Sequence, residues 1–111
     1  MSYSAKTAWK ANQFTSIILV PFISYCIFKI IELSKLPYVE IISELSSAWS
    51  IFYILIFTIL GLFHMRQGVN EIMEDYVHNQ YLKKVFKFSI SIFVFGILTF
   101  VCLSLLLILM V

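Results

Sequence analysis

The chain has 111 residues, of which 61% are hydrophobic and only 13% are charged, and its formal net charge at pH 7 is +2. A soluble globular domain has about 25% charged residues, so this composition excludes that class and predicts an integral membrane protein. The basic residues are too few and too scattered for a nucleic-acid surface, and we expect no nucleic-acid partner.

Three long apolar segments predict three transmembrane helices. Residues 14–31 contain one charge near their end, whereas residues 46–65 and 88–111 contain none. Each segment can cross a hydrocarbon core of about 30 Å at about 1.5 Å per residue, and only helices or closed barrels pair every peptide group in lipid. We therefore predict an all-α integral membrane fold. Its helices lie at about 14–31, 46–67 with a polar extension to about residue 76, and 86–111, in one domain over residues 1–111.

The stretch GLFHMRQGVNEIMEDYVHNQ, residues 61–80, interrupts this apolar pattern. If the second helix continues, a step of about 100° per residue places His64, Gly68, Glu71 and Asp75 on one face. An ionised group near the bilayer centre costs about 2.5 to 3.5 kcal/mol. This face must therefore meet protein, a cofactor or water.

His64 follows a long uncharged run and lies about one turn from both Gly61 and Gly68. One interpretation is a histidine hydrogen-bonded to a neighbouring helix. The other is an axial haem ligand, since neutral imidazole nitrogen suits haem iron and glycine lets a bulky group approach the backbone. One histidine supplies one ligand, so a bis-histidine haem would require a second chain.

Asp75 and Tyr76 lie where the second helix should leave the membrane. Tyrosine beside solvated charge is common at such a boundary. Alternatively, the phenol donates a hydrogen bond to a quinone carbonyl while the carboxylate orients a basic group or passes protons. Glu71 and Glu74 are expected to be solvated or paired with Arg66 and the following lysines, and His78 is expected in a loop.

The run His64-x-x-x-Gly68 followed by Asp75-Tyr76 resembles the signature of the small membrane anchor, or cytochrome b small subunit, of succinate dehydrogenase, which is respiratory complex II. The resemblance implies that His64 ligates the iron of haem b together with a histidine of the sister membrane anchor subunit. It implies that Tyr76 hydrogen-bonds ubiquinone and that Asp75 belongs to the same site. The implied partners are the sister membrane anchor subunit, the iron–sulfur subunit, the flavoprotein subunit and the lipid bilayer.

The N-terminal segment WKANQFTSIILVP is similar to the start of that family, with Trp9, Asn12 and Thr15 in register. Gln13 stands where the family commonly has an arginine that can approach a haem propionate. That contact is therefore not carried over to this chain, although Lys10 lies nearby.

The resemblance implies a subunit that is not an enzyme on its own but anchors the flavin and iron–sulfur subunits and helps form the haem and ubiquinone sites. An alternative is a small structural or transport subunit of another membrane complex, whose polar stripe packs against a partner or lines an ion path. Co-purification with flavin and iron–sulfur subunits separates the two.

Basic residues predict the orientation of the chain in the membrane. Six of the eight basic residues fall before the first span or after position 65: Lys6, Lys10, Arg66, Lys83, Lys84 and Lys87. The positive-inside rule then places the N-terminus inside and the C-terminus outside. The N-terminal arm lacks the Arg-rich leader of an imported organellar protein, so we expect the bacterial or the mitochondrial inner membrane.

This orientation predicts that residues 77–86 face inward and that Val111 faces outward. A tag at the C-terminus should be labelled by an impermeant dye only from the outer face of oriented membranes. Labelling from the inner face would reverse the orientation and would place Tyr76 on the outer side.

Overall fold

The structure, a computed structural model, describes residues 5–111. They form four helices: α1 (Ala5–Leu33), α2 (Tyr38–Leu45), α3 (Ala48–Tyr76) and α4 (Gln80–Met110). Of these, α1, α3 and α4 are long and apolar enough to cross a membrane, and the described residues contain no strand. The predicted all-α fold with three transmembrane helices is therefore confirmed. The chain is an integral membrane protein.

The short helix α2 was not predicted. It contains 8 residues, too few to cross a bilayer, and it packs against α3. Pro37 precedes its first residue in an extended conformation, and Glu40 lies in the first turn, where a carboxylate favours the helix dipole. Its isoleucines are partly buried while Tyr38 and Val39 remain exposed. Helix α2 therefore forms most of the connection between the first two spans and lies against the second.

Side-chain caps mark where α3 and α4 begin. Ser47 precedes α3, and its hydroxyl accepts a hydrogen bond of 3.2 Å from the Ser50 amide. Asn79 precedes α4, and its side-chain oxygen accepts from the amides of Tyr81 at 2.9 Å and Leu82 at 3.3 Å. Both residue types are favoured at this position because they satisfy amides that have no partner inside the helix. Helices α3 and α4 are consequently joined by the short loop 77–79.

Helix α3 is the central span, and both α1 and α4 pack against it. On the side that faces α1, the Tyr53 hydroxyl donates a hydrogen bond to the Phe22 carbonyl oxygen. The Tyr53 ring lies 5.3 Å from that of Phe22, 4.8 Å from that of Tyr25 and 5.9 Å from that of Phe57. Helix α1 continues through Pro21, which a membrane helix tolerates because neighbouring groups satisfy the freed carbonyl.

The opposite side of α3 faces α4. Leu62 and Met73 are buried, and the helical step places both about half a turn away from Tyr53. Glu74 forms ion pairs of 3.3 Å with Lys83 and 3.0 Å with Lys87. The predicted pairing of Glu74 with the lysines that follow it is thus confirmed. These contacts hold the end of α3 to the start of α4.

The three spans alternate in direction, so the start of α1 and the loop 77–79 lie at one end of the bundle. Helix α2 and Val111 lie at the other end, where both border the same shallow groove. Lys29, near the end of α1, pairs with Glu32 at 3.6 Å and with Glu44 at 3.9 Å. The predicted inward N-terminus lies outside the described residues, and the inside position of this end stays a prediction.

We predict that Tyr53→Phe weakens the contact between α1 and α3. Interhelical hydrogen bonds in membranes contribute about 0.6 kcal/mol on average and up to about 1.7 kcal/mol, so the free energy of unfolding should fall by that amount. Denaturant titration in mixed micelles, followed by tryptophan fluorescence, measures it.

Tyr25→Phe is the matched control. Tyr25 packs on the same ring but forms no hydrogen bond through its hydroxyl within the described residues, so its loss should change little. Equal destabilisation by the two variants would contradict the role given to the Tyr53 hydroxyl.

Candidate functional site

His64 lies in the second half of α3 on the side that faces α1. Its Nδ1 atom is 3.0 Å from Thr15 Oγ1. His64 is partly buried, and Thr15 is only 5% exposed. His64 therefore forms the hydrogen bond to a neighbouring helix that the first interpretation predicts. This bond uses only one of its two ring nitrogens, Nδ1. No residue in the described part of the chain forms a hydrogen bond with Nε2.

The Thr15 hydroxyl contacts one ring nitrogen of His64, and its other hydrogen-bond partners bear on which ring nitrogen carries the proton. Besides Nδ1 of His64, Oγ1 has two possible acceptors in its own helix, Ala11 O at 2.9 Å and Asn12 O at 3.0 Å. A hydroxyl donates one proton and accepts through two lone pairs. With its proton on either carbonyl, the usual bond of a helical threonine, Oγ1 accepts from Nδ1–H. This arrangement leaves the Nε2 lone pair of a neutral imidazole free to bind a metal.

The two glycines around His64 border open space. A Cβ added at Gly61 or Gly68 would meet no side chain and no other helix within 4 Å. The flat ring of a haem needs an unobstructed approach to the imidazole nitrogen that binds its iron. Because neither glycine has a side chain, the surface on both sides of His64 is open to such a ring. The imidazole, its fixed nitrogen and this open surface together fit a haem.

Two buried side-chain oxygens near this contact lack a hydrogen-bond donor among residues 5–111: Asn12 Oδ1 and Gln67 Oε1. Asn12 precedes Thr15 by one turn and Gln67 follows His64 by one turn. Because α1 and α3 are antiparallel, Asn12 and Gln67 both lie about one helical turn beyond the Thr15–His64 contact, toward the end of the bundle that contains the loop 77–79. Buried polar atoms are normally paired, so a water molecule or a donor from another subunit would form the missing hydrogen bonds to these two oxygens.

Asp75 and Tyr76 lie at the end of α3. Tyr76 is 77% exposed, and neither side chain forms an ion pair or hydrogen bond with the described residues. Twelve residues of helix separate Tyr76 from His64, a rise of about 18 Å. The structure therefore places the predicted site residues on one helix but in two separate places.

The remaining predicted residues are at the surface. Glu71 is exposed, and His78 is exposed in the loop 77–79. Gln13 and Lys10 are exposed on α1. The structure therefore leaves all four open to solvent, lipid or another subunit.

Sequence reasoning did not identify Thr15 as the partner of His64. The available signal was its position in register with the N-terminal pattern of the family. Its contact depends on which faces of α1 and α3 meet, and helical periodicity within one segment does not report that. The same holds for Asn12 and Gln67, because their burial depends on how α1 and α3 pack and is not visible in the sequence.

The rest of the described chain offers a cavity but no cluster of metal ligands. Within residues 5–111 no group of three or more His, Cys, Asp or Glu side chains is placed to hold a metal ion. A cavity of about 200 Å³ lies between α1, α2 and the start of α3, with Lys29 and Glu44 among its lining residues. That cavity is at the opposite end of the bundle from Asp75 and Tyr76.

Comparison with known proteins identifies the family. The profile of the family described as the succinate dehydrogenase/fumarate reductase transmembrane subunit matches residues 3–110. No curated protein and no solved structure matches the chain. The match covers all four helices completely, and a transmembrane-subunit family agrees with the three spans of the structure. The chain belongs to the succinate dehydrogenase/fumarate reductase transmembrane subunit family.

Proposed function

We propose that this chain is the small membrane anchor of a succinate dehydrogenase, which holds the flavoprotein and iron–sulfur subunits at the membrane. With the sister membrane anchor subunit it forms the haem b and ubiquinone sites, through which electrons pass from succinate to ubiquinone. The observation that carries the proposal is the Thr15–His64 contact, because it leaves one imidazole nitrogen free beside open surface. The chain itself does not oxidise succinate.

His64 Nε2 is the proposed ligand of haem b, and a histidine of the sister membrane anchor subunit is the second ligand. Bound haem would supply a one-electron centre within the membrane. The part of this chain is to fix the orientation of the imidazole and to keep the adjacent surface free of side chains at Gly61 and Gly68. The other histidine of the chain, His78, lies in the loop 77–79 beyond the end of α3, so the second ligand is assigned to another subunit.

Tyr76 and Asp75 are the proposed contribution to the ubiquinone site. Their exposure leaves both the phenol and the carboxylate available to a molecule outside this chain. The phenol donates a hydrogen bond to a quinone carbonyl, and the carboxylate holds a basic group or passes a proton. Their place at the end of a span suits a substrate that is apolar in the membrane and polar at its head.

The broad apolar surface of the chain supports its role as an anchor. Only Leu19, Leu62, Met73 and Leu105 are buried apolar residues within the described part of the chain. The many large apolar side chains that are exposed on the three spans therefore meet lipid or the sister membrane anchor subunit. The catalytic subunits would dock at the end with the loop 77–79, beside Tyr76.

We predict that His64→Leu abolishes the b-type haem spectrum of the purified complex. The change removes the only nitrogen that the chain is proposed to offer to the iron, while the three spans keep their packing. The measurement is the reduced-minus-oxidised spectrum together with the haem content per flavin.

His78→Leu is the matched control, because His78 is the other of the two histidines and is exposed in a loop. It should leave the spectrum unchanged. If His64→Leu keeps its haem content and spectrum, the ligand assignment is wrong.

We predict that Tyr76→Phe lowers the succinate-to-ubiquinone rate by about 2- to 10-fold, which corresponds to the loss of one hydrogen bond of about 0.5 to 1.5 kcal/mol. Reduction of an artificial acceptor upstream of the quinone should be unchanged on the same membranes. Asp75→Asn should act in the same direction, because it removes the charge that holds a basic group or carries a proton.

Tyr81→Phe is the control, since Tyr81 is 73% exposed at the start of α4 and has no proposed role. A boundary tyrosine needs only an amphipathic ring, so phenylalanine would largely replace it. Equal rates for Tyr76→Phe and Tyr81→Phe would make Tyr76 an interfacial anchor only.

A further inference from the structure

We infer that Thr15 is the positioning residue of His64: its hydroxyl accepts from Nδ1–H and so reserves Nε2 for the metal. The inference rests on the proposed haem ligation by His64. It gives α1 a positioning role at a site whose ligand is on α3. Thr15 touches neither iron nor substrate and acts only through the imidazole.

Burial supports this role. Thr15 is the one polar residue that is buried in the described part of the chain. Only 5% of its surface is exposed, so water is kept from its hydroxyl. A histidine in such surroundings has few alternative acceptors for its Nδ1 proton. The 3.0 Å contact with Oγ1 is the one hydrogen bond that the His64 side chain forms with the described residues.

The bonds of Thr15 to its own helix give the contact its direction. Its proton has acceptors in Ala11 O and Asn12 O, at 2.9 and 3.0 Å. Oγ1 consequently presents a lone pair, rather than a proton, to His64. Because the two ring nitrogens point in different directions, Nε2 is then directed away from Thr15.

Removal of the hydroxyl leaves one group unpaired. The carbonyls of Ala11 and Asn12 keep their helical amide partners, so the loss falls on Nδ1–H of His64. The imidazole then loses both its fixed orientation and part of its basicity, which the acceptor raises. Outer partners of metal-binding histidines typically change metal affinity by about 10- to 100-fold when they are removed.

Three substitutions at position 15 test the inference in the whole complex. Thr15→Val keeps the shape and removes the hydroxyl, Thr15→Ser keeps the hydroxyl and removes the methyl group, and Thr15→Ala removes both. Ser16→Ala is the matched control, because the Ser16 hydroxyl donates to Asn12 O at 2.8 Å and is not in contact with His64.

Haem affinity should fall about 10- to 100-fold in Thr15→Val and stay close to that of the unmodified complex in Thr15→Ser and Ser16→Ala. The midpoint potential of the haem in Thr15→Val should rise, since a less basic imidazole stabilises the oxidised iron less. Haem titration and spectroelectrochemistry measure the two quantities without reference to enzyme turnover. If Thr15→Val does not assemble, retention of haem by Thr15→Ser and its loss from Thr15→Ala support the same conclusion.

The inference is overturned if Thr15→Val keeps the affinity and potential of the unmodified complex while His64→Leu loses its haem. It is also overturned if the serine variant loses as much haem as the alanine variant. Retention of haem by His64→Leu is a different result, because it refutes the ligand assignment on which the inference rests.

Discussion

Hydrocarbon cannot hydrogen-bond to a polar group, and this constraint determines how the chain uses the polar residues of its spans. The hydroxyls of Ser24, Ser89 and Ser91 each donate to a carbonyl four residues earlier in the same helix. Such residues are satisfied locally and need no neighbouring helix. The polar contacts that do cross between helices are few, and they fix how the spans are arranged.

Two of those contacts join α1 to α3. The Tyr53 hydroxyl bonds to the Phe22 carbonyl, and the Thr15 hydroxyl bonds to His64. Tyr53 and His64 are eleven residues apart, so they share one face of α3 and are separated by about 16 Å along its axis. Two attachments on one face determine both the rotation of α3 and its register against α1. The direction of the His64 ring is therefore a consequence of packing along the whole length of the span.

The three spans could be predicted because length and hydropathy are properties of single segments. Helix α2 could not, since eight residues with mixed exposure lie in a connection where neither signal is strong. At the site, His64, Asp75 and Tyr76 stood out as polar residues in or beside an apolar segment. Thr15 did not, because threonine is neutral in hydropathy and its contact with His64 is created only when α1 and α3 pair. The sequence thus indicated the candidate site residues but not the residues that contact them.

Helix α3 carries both proposed sites, and this arrangement fixes their separation. His64 and Tyr76 belong to one continuous helix, so the rise of about 18 Å between them is set by backbone hydrogen bonds. An isolated helix end would fray, and a change there would move Tyr76 relative to His64. The ion pairs of Glu74 with Lys83 and Lys87 oppose this, because they tie the last turn of α3 to α4 beside Asp75 and Tyr76. Glu74 thus attaches the end of α3 that carries Asp75 and Tyr76 to α4, and Thr15 attaches His64 to α1.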